Sequence, residues 1–508
     1  MLPAMSKMEV RVRSKLLTLA VAAALLSACA TTTVTNPVTG RAERTVMDIP
    51  TEIAEGRKAH QQVLAEYGVV DDARLQAYVN DLGQKLAGHS HRSELNWTFT
   101  VLDSPEINAF ALPGGFVYVT RGIMAYMDSE ADLAGVIGHE IGHVTARHGA
   151  QRATRQQAAG LGVLAATVLG AVVEAAGVGG ATDLASQVSQ VAAAGYIASY
   201  SRDQESEADR LGAEYLARSH YDPSNMVDVI GVLKDQERFA ADVARAEGRS
   251  ASSGANWLSS HPSNDQRLRD IRRTAAGYKG DYSDDGPARY QQAINGMTFG
   301  ESREQGVTRG RNFYHEPLGI ALTAPDGWQI GNSQEAITVV NEARDAGLVI
   351  KLVPPQVGAT HDEILRNVFK PTGGRVERST INGLAATRFE GTVRNPQGQS
   401  RSVVATVVSG PASRNYLMLS AARDAAALRR SAAAMNEAEH SFRPLSAADR
   451  AAARPWAVRV VPYPRGGFAE LARRSPLPDR AEAQLRLLNG VYLDGREPRL
   501  GEPVKMIE

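Results

Sequence analysis

The sequence predicts a mainly α domain with a small β-sheet (an α+β arrangement), followed by a small α+β domain and a compact C-terminal unit. The chain has 508 residues, which is enough for two to four domains with substantial cores. From about residue 50 to 276, apolar residues recur at spacings of three and four, which is typical of amphipathic helices. From Phe313 the period changes to two, which indicates strands.

The composition excludes several classes of protein. Lys plus Arg and Asp plus Glu both number 56, so no net charge would attract nucleic acid, and no nucleic-acid partner is expected. Only 6% of the residues are aromatic, which favours closely packed helices over an all-β protein. Cys29 is the single cysteine, so a disulfide within the chain is excluded.

The N-terminal segment predicts export and attachment to a membrane. Basic residues between Lys7 and Lys15 precede an apolar core, residues 16–26, that is too short to span a bilayer comfortably. The sequence Leu-Ser-Ala-Cys ending at Cys29 resembles the lipobox of bacterial lipoproteins, which implies a signal peptide over residues 1–28 and lipidation of Cys29. A simple secretory signal with a chance cysteine is the alternative. No acidic residue follows Cys29 directly, which favours a periplasmic protein anchored at the inner face of the outer membrane.

The rest of the chain divides into five segments. Residues 29–49 are polar and β-branched, which predicts a flexible tether. The helical pattern defines residues 50–276, and a stretch rich in Gly, Asp, Ser and Arg predicts a linker over 277–312. Six strands and two helices predict an α+β accessory domain over 313–445. A short connector then leads to a separate unit over 455–508.

Local patterns give more detail within residues 50–276. Residues 95–104 alternate and predict a strand, and residues 107–124 predict two apolar strands around a Pro-Gly-Gly turn. The apolar run 158–173 predicts a buried or membrane-facing helical hairpin, with a transmembrane helix as the alternative. Residues 185–223 predict a further helical stretch.

The run His139-Glu140-Ile141-Gly142-His143 contains the clearest chemistry. On a helix, positions i and i+4 lie on one face, so the imidazoles of His139 and His143 can bind one ion. Glu140 is offset and points past the metal towards its open position. This is the arrangement of zinc metalloproteases. A helix with two ordinary surface histidines is the alternative.

A third protein ligand is expected from the acidic run at Glu205-Ser206-Glu207-Ala208-Asp209. Glu205 and Asp209 are four residues apart and share a helix face. One of them can bind zinc while the other accepts a hydrogen bond from a ligand histidine. Glu207 points elsewhere and is the second choice as ligand. The alternative is a solvated acidic face paired with neighbouring arginines.

These motifs, with the upstream NAFALPGG and NPVTGR sequences, resemble the zinc peptidase family of HtpX and the prenyl-protein CAAX proteases. Within that family the chain is most similar to the periplasmic BepA-like lipoproteins, over about residues 36–275. The resemblance implies a zincin-like (gluzincin) fold with one Zn²⁺ per chain. It also implies roles for five residues: His139, His143 and Glu205 as ligands, Glu140 as general base, and Asp209 as the partner that orients a ligand.

These roles imply a mechanism and leave one role open. Zinc activates a water molecule, Glu140 takes its proton, and the tetrahedral oxyanion then needs a stabilising group. His261, in the sequence SSHPSNDQRL, is the candidate. It is a fourth ligand in a latent state, a transition-state donor, or a surface histidine that precedes a helix. His148 and His220 are predicted to be structural.

An extended substrate also needs a strand to pair with. Asn108, Ala109 and Phe110 are predicted to form an edge strand that binds the substrate backbone. An ordinary core strand that ends in the Pro-Gly-Gly turn is the alternative.

The accessory domain, residues 313–445, has no cluster of catalytic side chains. The accessory domain is interpreted as a binding or assembly module. Residues 455–508 resemble a divergent LysM unit, in the Gly-Gly-Phe turn at 466–468 and the closing strand at 504–507. The Asp-Thr pair of the usual LysM turn is absent. Contact with peptidoglycan and a purely structural β-α-α-β cap therefore both remain open.

The sequence thus predicts a zinc-dependent metalloendopeptidase that cleaves misfolded or unassembled proteins of the cell envelope. Two alternatives are an outer-membrane assembly chaperone with little proteolysis and a peptidoglycan-associated scaffold. The intact set of ligands and base argues against a scaffold with a vestigial catalytic domain.

Overall fold

The computed structural model describes residues 31–158, 200–246, 257, 261, 265–282, 287–333, 336–394, 400–478, 480–493 and 495–508. The lipobox, almost all of the apolar run 158–173 and the first part of the predicted helical stretch 185–223 lie outside these residues.

The N-terminal segment is not a free tether over residues 32–45. Strand β1 (Thr32–Thr35) pairs antiparallel with β2 (Ala42–Thr45). Asn36 closes the turn, because its Oδ1 accepts hydrogen bonds from the backbone N–H groups of Val38 and Thr39. Its Nδ2 donates to the Glu43 carboxylate at 2.8 Å. The prediction of a tether gave too much weight to composition, since an Asx turn and β-branched residues also favour a hairpin.

The central unit consists of helices around a three-stranded sheet. Strand β5 (Phe116–Thr120) lies in the middle, parallel to β3 (Thr98–Leu102) and antiparallel to β4 (Ala109–Leu112), so the predicted strand and the predicted hairpin are both confirmed. The bounds are α1 Ile49–Tyr67, α2 Ala73–Gly88, β3 Thr98–Leu102, β4 Ala109–Leu112, β5 Phe116–Thr120, α3 Arg121–Tyr126, α4 Glu130–Thr145, α5 His148–Ala158, α6 Arg202–Arg218, α7 Asn225–Ala246 and α8 Asp265–Gly277.

Helix α4 is buried along its whole length and packs closely on α6. A capping box formed by Ser129 and Asp132 fixes its start. Glycines permit the close approach of the two helices. A Cβ on Gly142 would lie 2.9 Å from the Ala208 carbonyl oxygen, and one on Gly212 would lie 3.1 Å from the backbone nitrogen of His139. Larger residues here would push the two helices apart.

The predicted linker is folded onto the central unit. Residues Pro287–Ile294 form helix α9, and β6 (Thr298–Phe299) follows. Tyr290 and Ile294, one helical turn apart, are fully buried in the core of the central unit. The polar composition of residues 277–312 concealed these few apolar anchors.

The accessory region has two sheets. The seven-stranded sheet has the order β10-β11-β12-β16-β15-β14-β13, and the four-stranded sheet has the order β17-β9-β8-β7. Helices α10 (His361–Phe369) and α11 (Ala425–Ser441) lie where the sequence predicted them. The strand bounds are β7 Val307–Arg309, β8 Asn312–His315, β9 Ile320–Thr323, β10 Gln329–Asn332, β11 Ile337–Val340, β12 Ala346–Leu352, β13 Gly373–Ile381, β14 Leu384–Arg394, β15 Ser400–Ser409, β16 Asn415–Ala422 and β17 Arg443–Pro444; short helix α12 is Ala447–Ala452.

Sequence reasoning missed β13 in this region. The strand is exposed from Gly373 to Thr380 and is largely polar, so it shows no alternation of apolar and polar residues. Backbone pairing with β14 at the edge of the sheet holds it in place.

The C-terminal segment has the predicted order β-α-α-β but is not a separate unit. Strands β18 (Trp456–Pro462) and β19 (Pro503–Ile507) pair antiparallel, and helices α13 (Gly467–Arg474) and α14 (Ala481–Leu488) connect them. Buried side chains of all four elements belong to the same apolar core as those of the central unit. The likeness to LysM remains a prediction.

Lys505 links this segment to the central unit through a buried ammonium group. Its side chain is 1% exposed. The Nζ atom donates to the carbonyl oxygens of Ala125 and Met127 and lies 2.8 Å from the Asp128 carboxylate. These residues lead directly into the N-cap of α4, so the C-terminal strand supports the start of that helix.

We expect Lys505→Met to destabilise the central unit by about 2–3 kcal/mol, because the variant leaves two buried carbonyl groups without their donor. Calorimetric unfolding measures the effect. Lys58→Met, a change of an exposed lysine on α1, is the matched control. Equal unfolding temperatures for the two variants would contradict the supporting role of Lys505.

Candidate metal site

Four buried side chains converge between α4, α6 and the segment before α8. The ligand atoms of His139, His143, Glu205 and His261 all lie within 4.8 Å of one another. The Nε2 atoms of His139 and His143 are 3.0 Å apart, and His261 Nδ1 lies 3.2 Å from His139 Nε2. The Glu205 carboxylate lies 3.1 Å from His261 Nδ1 and 3.4 Å from His143 Nε2.

These separations fit one zinc ion. Four ligands about 2.1 Å from a tetrahedral centre are about 3.4 Å from one another, which is close to the separations of the four side chains. Burial lowers the pKa of His143 well below its ordinary range, which keeps the imidazole neutral. Burial opposes ionisation of Glu205, but the neighbouring His261, His139 and Arg267 outweigh it and lower the pKa of the carboxyl. A neutral imidazole at His143 and an ionised carboxylate at Glu205 are the states that bind zinc.

Asp209 lies behind the His139 ring. Its Oδ1 is 2.9 Å from His139 Nδ1, so Nε2 faces the other ligand atoms. Burial raises the pKa of Asp209, but Arg267 and His139 outweigh this effect and lower the pKa to about 2. An ionised carboxylate behind the ring fixes its orientation.

Arg267 pairs with two buried carboxylates of α6, Asp209 and Glu205. It contacts Asp209 through Nε at 2.6 Å and Nη2 at 2.8 Å, and its Nη1 lies 2.8 Å from the Glu205 carboxylate. Nη1 also donates to the His261 carbonyl oxygen at 3.0 Å. One guanidinium therefore holds together the acidic face of α6 and the backbone at His261.

His148 supports the second ligand. Its Nδ1 lies 2.8 Å from His143 Nδ1, and its Nε2 lies 3.2 Å from the Glu207 carboxylate. The sequence predicted that Glu207 points away from the metal, and it does. Glu207, His148 and His143 thus form a chain of polar contacts that ends at the metal ligand His143.

The candidate base, Glu140, is enclosed by Trp257 and His261. Trp257 is fully buried and donates its indole Nε1–H to Glu140 Oε1 at 3.1 Å. His261 Nε2 lies 3.4 Å from the same oxygen. The Trp257 and His261 rings stack, with centroids 4.6 Å apart. Glu140 Oε2 has no hydrogen-bond partner among the described residues.

Residues 73–275 match the family described as Peptidase family M48. They form an M48 peptidase domain. The chain is 32% identical over 243 residues to the beta-barrel assembly-enhancing protease of Yersinia pestis, a match that covers 47% of each chain. It is 29% identical over 242 residues to the mitochondrial metalloendopeptidase OMA1 of Schizosaccharomyces pombe, which covers 46% of this chain and 64% of the relative.

The chain thus spans about half the length of the bacterial relatives it matches. Among solved structures, cyanobacterial PsbP from Synechocystis aligns with 27% of this chain and 98% of its own, at 15% identity and a TM-score of 0.21.

The M48 domain places the predicted substrate strand at the edge of its sheet. Strand β4 pairs with β5 on one side only, within the described residues. Ala109 and Phe110 belong to β4, and Asn108 precedes it. The Trp257 backbone N–H donates to the Ile107 carbonyl oxygen at 2.7 Å. The segment that encloses Glu140 therefore also contacts the start of this edge.

Sequence reasoning did not single out Trp257, Arg267 or Tyr200. The Tyr200 ring stacks on His143, with centroids 3.9 Å apart. Trp257 and Arg267 flank His261 by four and six residues, and Tyr200 directly precedes the N-cap of α6. Proximity to the motifs was the available signal, but the direction of these side chains depends on the fold. His220 is exposed and has no place in the site.

None of the helices that the structure describes is both long and apolar enough to cross a membrane.

We expect Arg267→Gln to weaken zinc binding about 10- to 100-fold, as is usual when a partner of a metal ligand is removed. The buried carboxylates of Glu205 and Asp209 lose their shared cation, so the site loses its geometry. Competition with a chromogenic chelator measures the affinity. Arg269→Gln, an exposed arginine two residues further along α8, is the matched control. Unchanged affinity in folded Arg267→Gln protein would refute this role.

Proposed function

We propose that the protein is a zinc-dependent metalloendopeptidase with one Zn²⁺ per chain. The convergence of His139, His143 and Glu205 beside the offset carboxylate of Glu140 carries the proposal. Three protein ligands and a separate base match the catalytic class of zinc sites. In this assignment Asp209 orients His139 and is not itself a ligand.

Each side chain then has a defined chemical task. Zinc, when bound, lowers the pKa of a water molecule and polarises the scissile carbonyl. Glu140 accepts the proton of the attacking water and passes it to the departing amine. The neutral imidazole of His143 and the ionised carboxylate of Glu205 are ready to bind the metal. Asp209 fixes the orientation of the His139 ring.

We further propose that the arrangement described above is a latent state. Four protein groups would fill a tetrahedral site when His261 is the fourth ligand, which supports this role over that of a surface histidine. Trp257 donates a hydrogen bond to Oε1 of Glu140 in the same arrangement and so holds the candidate base in place. Cleavage then requires the segment around Trp257 and His261 to withdraw. After withdrawal, His261 can return as a donor to the oxyanion.

The substrates we propose are misfolded or unassembled proteins of the cell envelope. Asn108, Ala109 and Phe110 are buried in the latent arrangement. We propose that they become an accessible edge strand when that arrangement opens and then give main-chain hydrogen bonds to an extended segment, a mode that needs no particular side chain. Unfolded proteins supply such segments. The Yersinia relative is a protease named for enhancing β-barrel assembly, which supports a substrate in the envelope.

We place the protein in the periplasm, with lipidated Cys29 anchoring it to the inner face of the outer membrane. The lipobox and the basic and apolar segments before it support this location. Our first proposal for the C-terminal segment is a structural cap, because its core is continuous with that of the M48 domain. Glycan binding by its exposed surface remains a second proposal.

We expect Glu140→Gln to reduce cleavage of an unfolded protein at least about 100-fold, because a general base contributes a factor of that order. Zinc content stays unchanged, since Glu140 is not a ligand. Glu237→Gln, an exposed glutamate on α7, is the control and keeps full activity. If zinc-loaded wild type shows no cleavage beyond that of Glu140→Gln, the peptidase proposal is refuted and the alternative of an assembly chaperone is favoured.

We expect Trp257→Phe to increase cleavage severalfold, because the indole N–H no longer holds Glu140. His261→Ala also increases cleavage if its main role is to close the site. Initial rates on the same unfolded protein measure both effects, with His440→Ala, an exposed histidine on α11, as control. Two variants no more active than wild type would disprove latency. A faster Trp257→Phe with a slower His261→Ala would assign His261 to the oxyanion.

A further inference from the structure

A basic cavity lies at the opposite end of α4 from its N-cap, where the N-terminal hairpin meets α5. Its volume is about 380 Å³. Neither the zinc ligands nor the residues of strand β4 line this cavity. The lining residues are Glu43, Arg44, Thr45, Arg147, Ala150, Gln151, Thr154 and Arg155.

Positive charge predominates in this lining, with three arginines and one glutamate. The single carboxylate is engaged, since Glu43 Oε1 accepts hydrogen bonds from Asn36 at 2.8 Å and from Gln151 at 3.2 Å. Arg44 and Arg155 are exposed, so their guanidinium groups can turn towards a ligand. The hydroxyl groups of Thr45 and Thr154 are engaged with each other and with the backbone, so the arginines are the donors available to a ligand.

Arg147 differs from the other two because it is 1% exposed. Its Nε lies 2.9 Å from the Glu52 carboxylate and its Nη2 donates to the Met47 carbonyl oxygen at 2.6 Å. Its Nη1 has no hydrogen-bond partner among the described residues. A buried donor without an acceptor is costly, and an anion in the cavity removes that cost.

The carboxylate partner of Arg147 is shared with a second arginine. Glu52 is shared by two buried guanidinium groups, since Arg92 Nη1 lies 2.7 Å from its other oxygen. One carboxylate thus faces two arginines, all three about 1% exposed. Exposed Glu94 also lies 3.8 Å from Arg92 Nε. Because Arg147 shares Glu52 with Arg92, part of its positive charge remains available to an anionic ligand in the cavity.

The cavity lies beside the point where the chain leaves Cys29. Arg44 Nη2 donates to Thr31 Oγ1 at 3.0 Å. Thr31 is two residues from Cys29, so their Cα atoms are within about 7 Å even in a fully extended chain. A lipid chain on Cys29 would therefore hold the cavity close to the phosphate layer of the membrane.

We propose that this cavity binds the phosphate group of an anionic phospholipid headgroup, with Arg44 and Arg155 at the rim and Arg147 at the floor. The choice of a lipid as the source rests on the proposed lipidation of Cys29. The affinity for phosphate rests only on the cavity. Binding would orient the M48 domain on the membrane, in addition to tethering it.

The test uses the zinc-loaded mature chain with Cys29→Ser, so that no lipid anchor contributes to binding. Arg44→Gln with Arg155→Gln removes the two rim charges. Arg41→Gln with Arg57→Gln is the matched control, because both are exposed arginines of the N-terminal region outside the cavity lining, and the change in net charge is equal.

The first measurement is the unfolding temperature in millimolar inorganic phosphate against chloride at equal ionic strength. A bound ligand stabilises the native state. We expect phosphate to raise the unfolding temperature of the parent chain and of the control variant, and to have a smaller effect on the rim variant. An equal effect of phosphate on all three proteins would overturn the proposal.

The second measurement is cosedimentation with vesicles of phosphatidylcholine alone or with about one quarter phosphatidylglycerol. Each arginine near an anionic lipid surface contributes about a fivefold factor, so we expect the rim variant to bind the anionic vesicles about 25-fold more weakly than the parent. The control variant retains most of its binding. Equal losses in both variants would mean non-specific attraction and would overturn the lipid assignment.

The two measurements separate the sources of the ligand. Phosphate stabilisation without binding to anionic vesicles supports the cavity and overturns the lipid as its source. Failure of both overturns the cavity as a site. Neither result depends on peptide cleavage, so the proposed peptidase activity stands or falls separately.

Discussion

The close packing of α4 on α6 is the constraint on which the rest of the structure depends. Gly142 and Gly212 let the two backbones approach until a Cβ at either position would meet backbone atoms of the other helix. At this distance the histidines of α4 face the carboxylates of α6 directly. Wider spacing would leave His139, His143 and Glu205 too far apart to share one ion.

Such a site places several charged groups in the interior, and their arrangement limits the cost. Arg267 pairs with both Asp209 and Glu205, and His148 links His143 to the half-exposed Glu207. These partners come from four helices, α4, α5, α6 and α8. The C-terminal strand adds a further buried cation at Lys505 before the start of α4. The site and its surroundings therefore form one structure, in which segments distant in sequence stabilise the same helix.

Much of the site could be predicted because helical spacing is local. An i, i+4 pair shares a face in any α-helix, so His139 with His143, and Glu205 with Asp209, could be paired before any contact was known. Trp257 and Arg267 could not be placed in this way, because the turn before α8 decides where they point. Composition misled for residues 32–45 and 277–312, where an Asx turn and buried residues such as Tyr290 and Ile294 outweigh the polar majority.

The sequence by itself determined the metal-binding chemistry, the helical and strand segments of the M48 domain, and most strands of the accessory region, since each rests on periodicity or on a short motif. Only the tertiary structure decided that Asp209 lies behind His139, that Trp257 encloses Glu140, and that the C-terminal β-α-α-β segment shares the core of the M48 domain. These features depend on side-chain direction and long-range packing, which no local pattern specifies.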